Sequence, residues 1–174
     1  MTSSAYMVVL AYSLAFAAMA MAAVTDARQR IIPDRYVLIV AGAGVAVRIL
    51  DFDGFSLLFS LAIAFGVLVL LGQLARLDMV GGGDAKLIAA SSLLFAPSAV
   101  PFAIASIALA GGLLAIAYLL KEAASRAGRE HQCDAAIPAP RGSLPYGVAI
   151  LLGTLAVTFL EVFRQCSTVE SCSP

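Results

Sequence analysis

Long runs of apolar residues, uninterrupted by charge, dominate this chain. A helix needs about 20 such residues to cross a hydrocarbon core of about 30 Å. Three of the runs have that length and predict one membrane span each. The stretches without Asp, Glu, Lys or Arg are 1–25, 36–47, 54–75, 87–120 and 142–160.

The two remaining runs need interpretation. The run 87–120 is too long for one span, and Pro97 and Pro101 divide it, because proline disfavours helix at its own position and before it. The run 36–47 reaches spanning length if the arginines at its ends keep their charged groups in water. Alternation typical of membrane β-barrels is absent. We therefore predict an all-α integral membrane protein with about six spans, at residues 5–25, 34–50, 54–75, 80–97, 101–120 and 144–163.

Composition supports this class and excludes others. Hydrophobic residues make up 61% of the 174 positions and charged residues 13%, against about 45–50% and about 25% in soluble domains. The formal net charge is zero and no run is rich in Lys or Arg, so we expect lipid and not nucleic acid as a partner. Residues 1–25 resemble a signal peptide, but no cation precedes Arg28, so we interpret them as a retained helix of one polytopic domain over residues 1–174.

The positions of the cations predict the orientation. Nine of the eleven Lys and Arg residues lie in the first, third and fifth connections, and Arg48 and Arg164 lie on the other side. Cytoplasmic loops carry the excess of cations. Both termini are therefore expected outside, with the main cytoplasmic loop at 121–143. The nine cations are Arg28, Arg30, Arg35, Arg76, Lys86, Lys121, Arg126, Arg129 and Arg141.

The cysteines do not indicate a metal site. Cys133 falls in the predicted cytoplasmic loop, whereas Cys166 and Cys172 fall in the outer tail, where a disulfide and two free thiols both remain open. Because the chain has no C-x-x-C pair, we expect no structural zinc.

Two acidic segments carry the candidate chemistry. Asp26 and Asp34 follow the first span, and Asp84 opens the fourth; two spans lie between Asp26 and Asp84, so both return to one face. Two carboxyls sharing one proton supply the base that activates water and the acid that protonates a leaving amide. The alternative is that each is an ordinary acid at a helix end, with Asp84 capping its helix.

The residues around Asp84 add a binding prediction. Three consecutive glycines, 81–83, leave the backbone free to adopt positive φ and let another chain approach closely, so we expect them to receive an extended peptide. Lys86 either anchors the interface or binds a substrate carboxylate. Asp78 is interpreted as a solvated loop acid and His131 as a solvated histidine. Neither G-x-S-x-G nor H-E-x-x-H is present, which argues against serine and metal chemistry.

Three motifs follow one another along the chain. Asp26 is followed by Arg30, Pro33 and Asp34; residues 81–84 fit the pattern G-x-G-D, with Lys86 following; and residues 144–149 contain Pro-Tyr-Gly. Together they resemble the first aspartate motif, the second aspartate motif and the Pro-Phe/Tyr-Gly start of the last helix in the prepilin peptidases, the membrane aspartic proteases that process type IV pilin precursors.

The resemblance implies that Asp26 and Asp84 are the catalytic dyad, without metal or cofactor. It implies a prepilin substrate with a short basic leader and an apolar helix, cut at the cytoplasmic face of a prokaryotic inner membrane. Because it lacks C-x-x-C motifs, the chain resembles the short, peptidase-only branch of the family that is associated with tight-adherence (Flp-type) pili. N-methylation is therefore not expected. The residues then expected to shape the site are Gly81, Gly82, Gly83, Lys86, Pro33, Asp34, Pro145, Tyr146 and Gly147.

Other functions stay open at this point. An archaeal preflagellin peptidase is similar in its motifs. A small transporter or proton-conducting protein also places acids and glycine breaks in membrane helices. A non-catalytic component of a pilus-assembly complex is a third possibility, and the oligomeric state is not predicted.

Overall fold

The computed structural model describes residues 3–50, 54–127 and 146–170, and within these ranges all regular secondary structure is α-helical, without strands. This confirms the predicted all-α class for the described residues. Six helices are found there: α1 (Ser3–Gln29), α2 (Asp34–Leu50), α3 (Gly54–Arg76), α4 (Gly82–Ser92), α5 (Val100–Ala127) and α6 (Tyr146–Glu170).

Two helices end at left-handed residues beside the acidic segments. Arg30 (φ 55°) closes α1 by donating its backbone N–H to the Asp26 carbonyl at 2.8 Å. Asp78 (φ 56°) closes α3, and the N–H of Met79 reaches back to the Leu74 carbonyl at 3.1 Å in a Schellman arrangement. Asp78 thus terminates a helix, and its exposed side chain agrees with the predicted loop role.

Three helices are long and apolar enough to cross a membrane: Tyr6–Gln29, Ser56–Arg76 and Val100–Lys121. The apolar part of α6 is shorter, Tyr146–Val162, and α2 has 17 residues. With 11 residues, α4 is only about 16 Å long.

The predicted helix over 80–97 is wrong in length, because α4 ends at Ser92. The hydroxyl groups of Ser91 and Ser92 donate to the carbonyls of Ile88 and Ala89, at 2.9 and 2.7 Å. Such local bonds compete with the helical pattern. Hydrogen-bonded turns then lead past Pro97 to α5 at Val100, and α5 continues to Ala127, into the predicted loop 121–143. Residues 128–145, with His131, Cys133 and Pro145, lie outside the described ranges, as does Cys172.

The short helix α4 lies at the centre of the bundle. It packs against α2, α3, α5 and α6, while α1 packs against α2 and α6. Its far end is held by polar contacts with two other helices: the Tyr12 hydroxyl and the Arg48 guanidinium both donate to the Leu94 carbonyl, at 2.8 and 3.2 Å. Arg48 is itself buried. The bundle therefore surrounds α4 and fixes its end by hydrogen bonds.

Glycines let α5 approach α6 closely. A Cβ atom added to Gly153 would lie 2.6 Å from the Cα of Ile107, and one added to Gly111 would lie 2.7 Å from the Tyr146 ring. At Gly153 the obstacle is helix backbone, which cannot rotate away. Small residues at such positions allow membrane helices to pack by van der Waals contact.

We expect Gly153→Ala to destabilise the protein by about 1–3 kcal/mol, because the added methyl group pushes α5 from α6. The control is Gly66→Ala on α3, where no atom lies within 4 Å and alanine favours helix. Unfolding of both variants is measured in detergent micelles. Equal stability of the two variants would contradict the close contact.

Candidate active site

Asp26 lies in the last turn of α1 and is buried, with 8% of its surface exposed. Its Oδ2 atom accepts a hydrogen bond from the backbone N–H of Gly147 at 2.8 Å. Gly147 is in the first turn of α6, where backbone N–H groups have no partner within the helix. The start of α6 therefore supplies the donor that holds this carboxylate.

Position 147 has little room for a side chain, because α6 begins in close contact with α1. A Cβ atom at this position would lie 3.1 Å from Asp26 Oδ2 and 3.2 Å from the Cα of Ala23. Glycine thus allows the start of α6 to contact the end of α1. The preceding residue, Tyr146, places its ring against Gly111 of α5. Gly111 was not predicted as a site residue; the Gly111-Gly112 pair within an apolar run was the available signal.

Asp84 lies in the first turn of α4, outside the three helices that can cross a membrane. Its Oδ1 atom is buried and has no hydrogen-bond partner. Burial, and to a smaller extent the negative charge of Asp26, raise the pKa of this carboxyl from 3.8 to about 6. The N-cap of α4 is Gly81, which makes no side-chain cap. Asp84 is therefore not the cap of its helix.

The triple glycine does not use its freedom to adopt positive φ: in the described ranges no glycine has positive φ, and Gly81 has φ −64° and ψ 135°. The constraint is space instead. A Cβ atom at Gly81 would lie 2.5 Å from Asp84 Oδ2, and one at Gly83 would lie 3.1 Å from the Cβ of Ile32. At Gly82 nothing lies within 4 Å. The first and third glycines are thus restricted and the middle one is not, as in a G-x-G pattern.

A salt bridge connects the two acidic segments. Lys86 Nζ lies 2.8 Å from Asp34 Oδ1, and both side chains are largely exposed. An exposed pair of this kind contributes about 0–1 kcal/mol. Together with the contact between Ile32 and Gly83, on the other side of Pro33, it positions the start of α4 against the α1–α2 connection. Lys86 is thus engaged by Asp34.

Both predicted catalytic carboxyls line one cavity of about 520 Å³. Arg30 and Tyr146 also line it, and the rest of the wall is mostly apolar. Arg30 was not predicted as a site residue; its place four residues after Asp26 was the available signal. The part of the chain that the structure describes contains no group of three or more His, Cys, Asp or Glu residues placed to hold a metal ion.

Comparison with known proteins identifies a family. The sequence model of the type IV leader peptidase family matches residues 13–116, more than half of the chain. The match includes Asp26 and Asp84. No curated protein and no solved structure matches the chain.

We expect Asp84 to titrate near pH 6 in the folded protein, because burial disfavours its charged form. Removing the neighbouring charge in Asp26→Asn should lower the Asp84 pKa only in part, since burial is the larger cause and remains. The measurement is infrared or carbon NMR titration of ¹³C-labelled aspartate, with Asp84→Asn to assign the signal. An Asp84 signal near the ordinary value of 3.8 in the folded protein would contradict the buried environment.

Proposed function

The chain belongs to the type IV leader peptidase family, and from this premise we propose that it is an aspartic endopeptidase that removes the short basic leader from type IV prepilin precursors of the Flp type. Asp26 and Asp84 form its catalytic dyad. The observation that carries the proposal is that both carboxyls line one cavity in unequal surroundings.

The inequality supports a division of roles. Asp26 accepts a backbone N–H, whereas the buried Oδ1 of Asp84 has no partner and its pKa is raised. Environments that push the pKa values of two carboxyls apart are typical of acid–base pairs. We assign the shared proton to Asp84 in the resting state, although the pair titrates as a unit.

The reaction then follows without a covalent intermediate. Asp26 removes a proton from water, the oxygen attacks the scissile carbonyl, and Asp84 donates its proton to the carbonyl oxygen. Asp26 next transfers its proton to the amide nitrogen and the C–N bond breaks. Asp84 regains its proton from a hydroxyl group of the intermediate as the carboxyl product forms, so the net change is the addition of one water.

The charges around the cavity support a cytoplasmic location. Five cations at this end of the bundle have exposed side chains, as expected for the cytoplasmic face. We propose a multi-pass protein of a prokaryotic inner membrane, with six membrane-embedded helices in one domain and both termini outside. N-methylation is not part of the proposal. The five cations are Arg28, Arg30, Arg35, Arg76 and Lys86.

We expect Asp26→Asn and Asp84→Asn each to reduce precursor cleavage about 10²-fold or more, because one lacks the base and the other the acid. The control is Asp78→Asn, the same chemical change at an exposed acid that does not line the cavity. Cleavage is followed by the gel mobility of a radiolabelled precursor in detergent. Full processing by either dyad variant would refute the assignment.

We expect Gly81→Ala to lower kcat about 10–100-fold at nearly unchanged stability. The new methyl group displaces the Asp84 carboxylate, and the end of that side chain can rotate at little cost in folding. Gly82→Ala, one residue away in open space, is the matched control and should retain activity. Cleavage rates and thermal unfolding are measured for both. Equal kcat values in the two variants would be inconsistent with the close contact between Gly81 and Asp84.

A further inference from the structure

The cavity continues from the carboxyls into an apolar region. Leu71 of α3, Ile88 of α4, and Ile104, Ile107 and Ala108 of α5 form its wall there. Ile88 and Ile107 are buried within the bundle, whereas Ile104 is 37% exposed. This side of the cavity is therefore lined by aliphatic groups and reaches the protein surface.

The helices on the two sides of this region do not touch. Among the described residues, no Cα atom of α3 lies within 8 Å of a Cα atom of α5, although both helices pack against α4. A cleft therefore separates α3 from α5, with Ile88 of α4 in its floor. Since both flanking helices are candidate membrane spans, the cleft opens sideways toward lipid.

The dimensions of the cleft suit a peptide segment. Gly111 of α5 packs on Tyr146, which lines the cavity with the carboxyls, and Ile104 lies seven residues away along α5. This spacing corresponds to about 10 Å along the helix. The α5 residues that line the apolar region, from Ile104 to Ala108, cover about one helical turn of this distance, on the side away from Tyr146.

We propose that the cleft between α3 and α5 receives the apolar helical segment that follows the scissile bond, so that the precursor enters the site sideways from the bilayer. This inference rests on the proposed function. We favour this segment as the occupant because the cleft and the two carboxyls belong to one cavity. When the scissile bond lies at the start of an apolar helix, the bond can reach the carboxyls while the helix occupies the apolar cleft.

The chemistry of a helix start agrees with this arrangement. A protease needs an extended backbone at the bond it cuts, and the residues just before a helix already have one. The first four N–H groups of a helix have no internal partner, so binding there requires no unwinding. In lipid, helix contacts depend on packing and not on removal from water, and Ala108 offers a small side chain for close approach.

The first test fills the cleft with Ile104→Trp and compares it with Leu109→Trp on the same helix. Leu109 is 69% exposed and does not line the cavity. Two substrates are used: the full precursor, and a soluble peptide with the leader and scissile bond but no apolar segment. We expect Ile104→Trp to lower kcat/KM for the full precursor about 10-fold or more, chiefly through KM, and to lower it for the peptide by a clearly smaller factor. Leu109→Trp should change neither.

If the Ile104→Trp variant cleaves the precursor at the wild-type rate, the proposal is overturned. It is also overturned if the variant loses activity equally toward both substrates.

The second test needs no turnover. Benzoylphenylalanine is placed at position 71, 104 or 109 of the Asp84→Asn variant and irradiated with labelled precursor. We expect adducts with the apolar segment from positions 71 and 104 but not from 109. Adducts with lipid alone, or equal labelling from 109, would refute the docking site. Failure of the wild-type protein to cut any precursor would instead refute the proposed function.

Discussion

The hydrogen bond from the Gly147 N–H to Asp26 Oδ2 is the contact on which the arrangement of the site depends. A buried carboxylate in a bundle surrounded by apolar groups is costly unless a donor reaches it. Here the donor is a helix start, so α6 must meet the end of α1 at van der Waals distance. That contact in turn places Tyr146 on Gly111 and brings α5 to the cavity.

The second carboxyl, that of Asp84, is positioned without a hydrogen-bond donor of its own among the described residues. Asp84 has a buried oxygen without a partner, and its position comes from contacts of its helix, not from a bond to the carboxyl itself. At one end, Lys86 binds Asp34 and Gly83 contacts Ile32; at the other, the Leu94 carbonyl accepts two donors. A short, well-anchored helix can thus present an unsatisfied group, which is the kind of local exception that accompanies functional sites.

The sequence predicted the parts of this arrangement that depend on local pattern. Charge-free runs predicted the helices, and the number of spans between Asp26 and Asp84 placed both acids at one end. The length of α4 was not predictable, because hydropathy does not register the hydroxyl bonds of Ser91 and Ser92 that accompany its end. The role of the glycines was predicted only in part: close approach was expected from a substrate peptide, whereas the neighbours that restrict Gly81 and Gly83 are Asp84 and Ile32 of this chain, which sequence order alone does not reveal.

One constraint relates these observations. Irregular backbone within a membrane bundle persists only where protein groups satisfy its polar atoms. The turn after α4 largely meets this condition, since Tyr12 and Arg48 donate to the Leu94 carbonyl and the N–H groups of residues 93–95 bond locally. After this turn α5 begins at Val100, packs against α4 and, in the described ranges, makes no contact with α3, and the cleft lies between α3 and α5. The short helix thus lies in the floor of the proposed lateral opening, through Ile88, and carries Asp84 in its first turn.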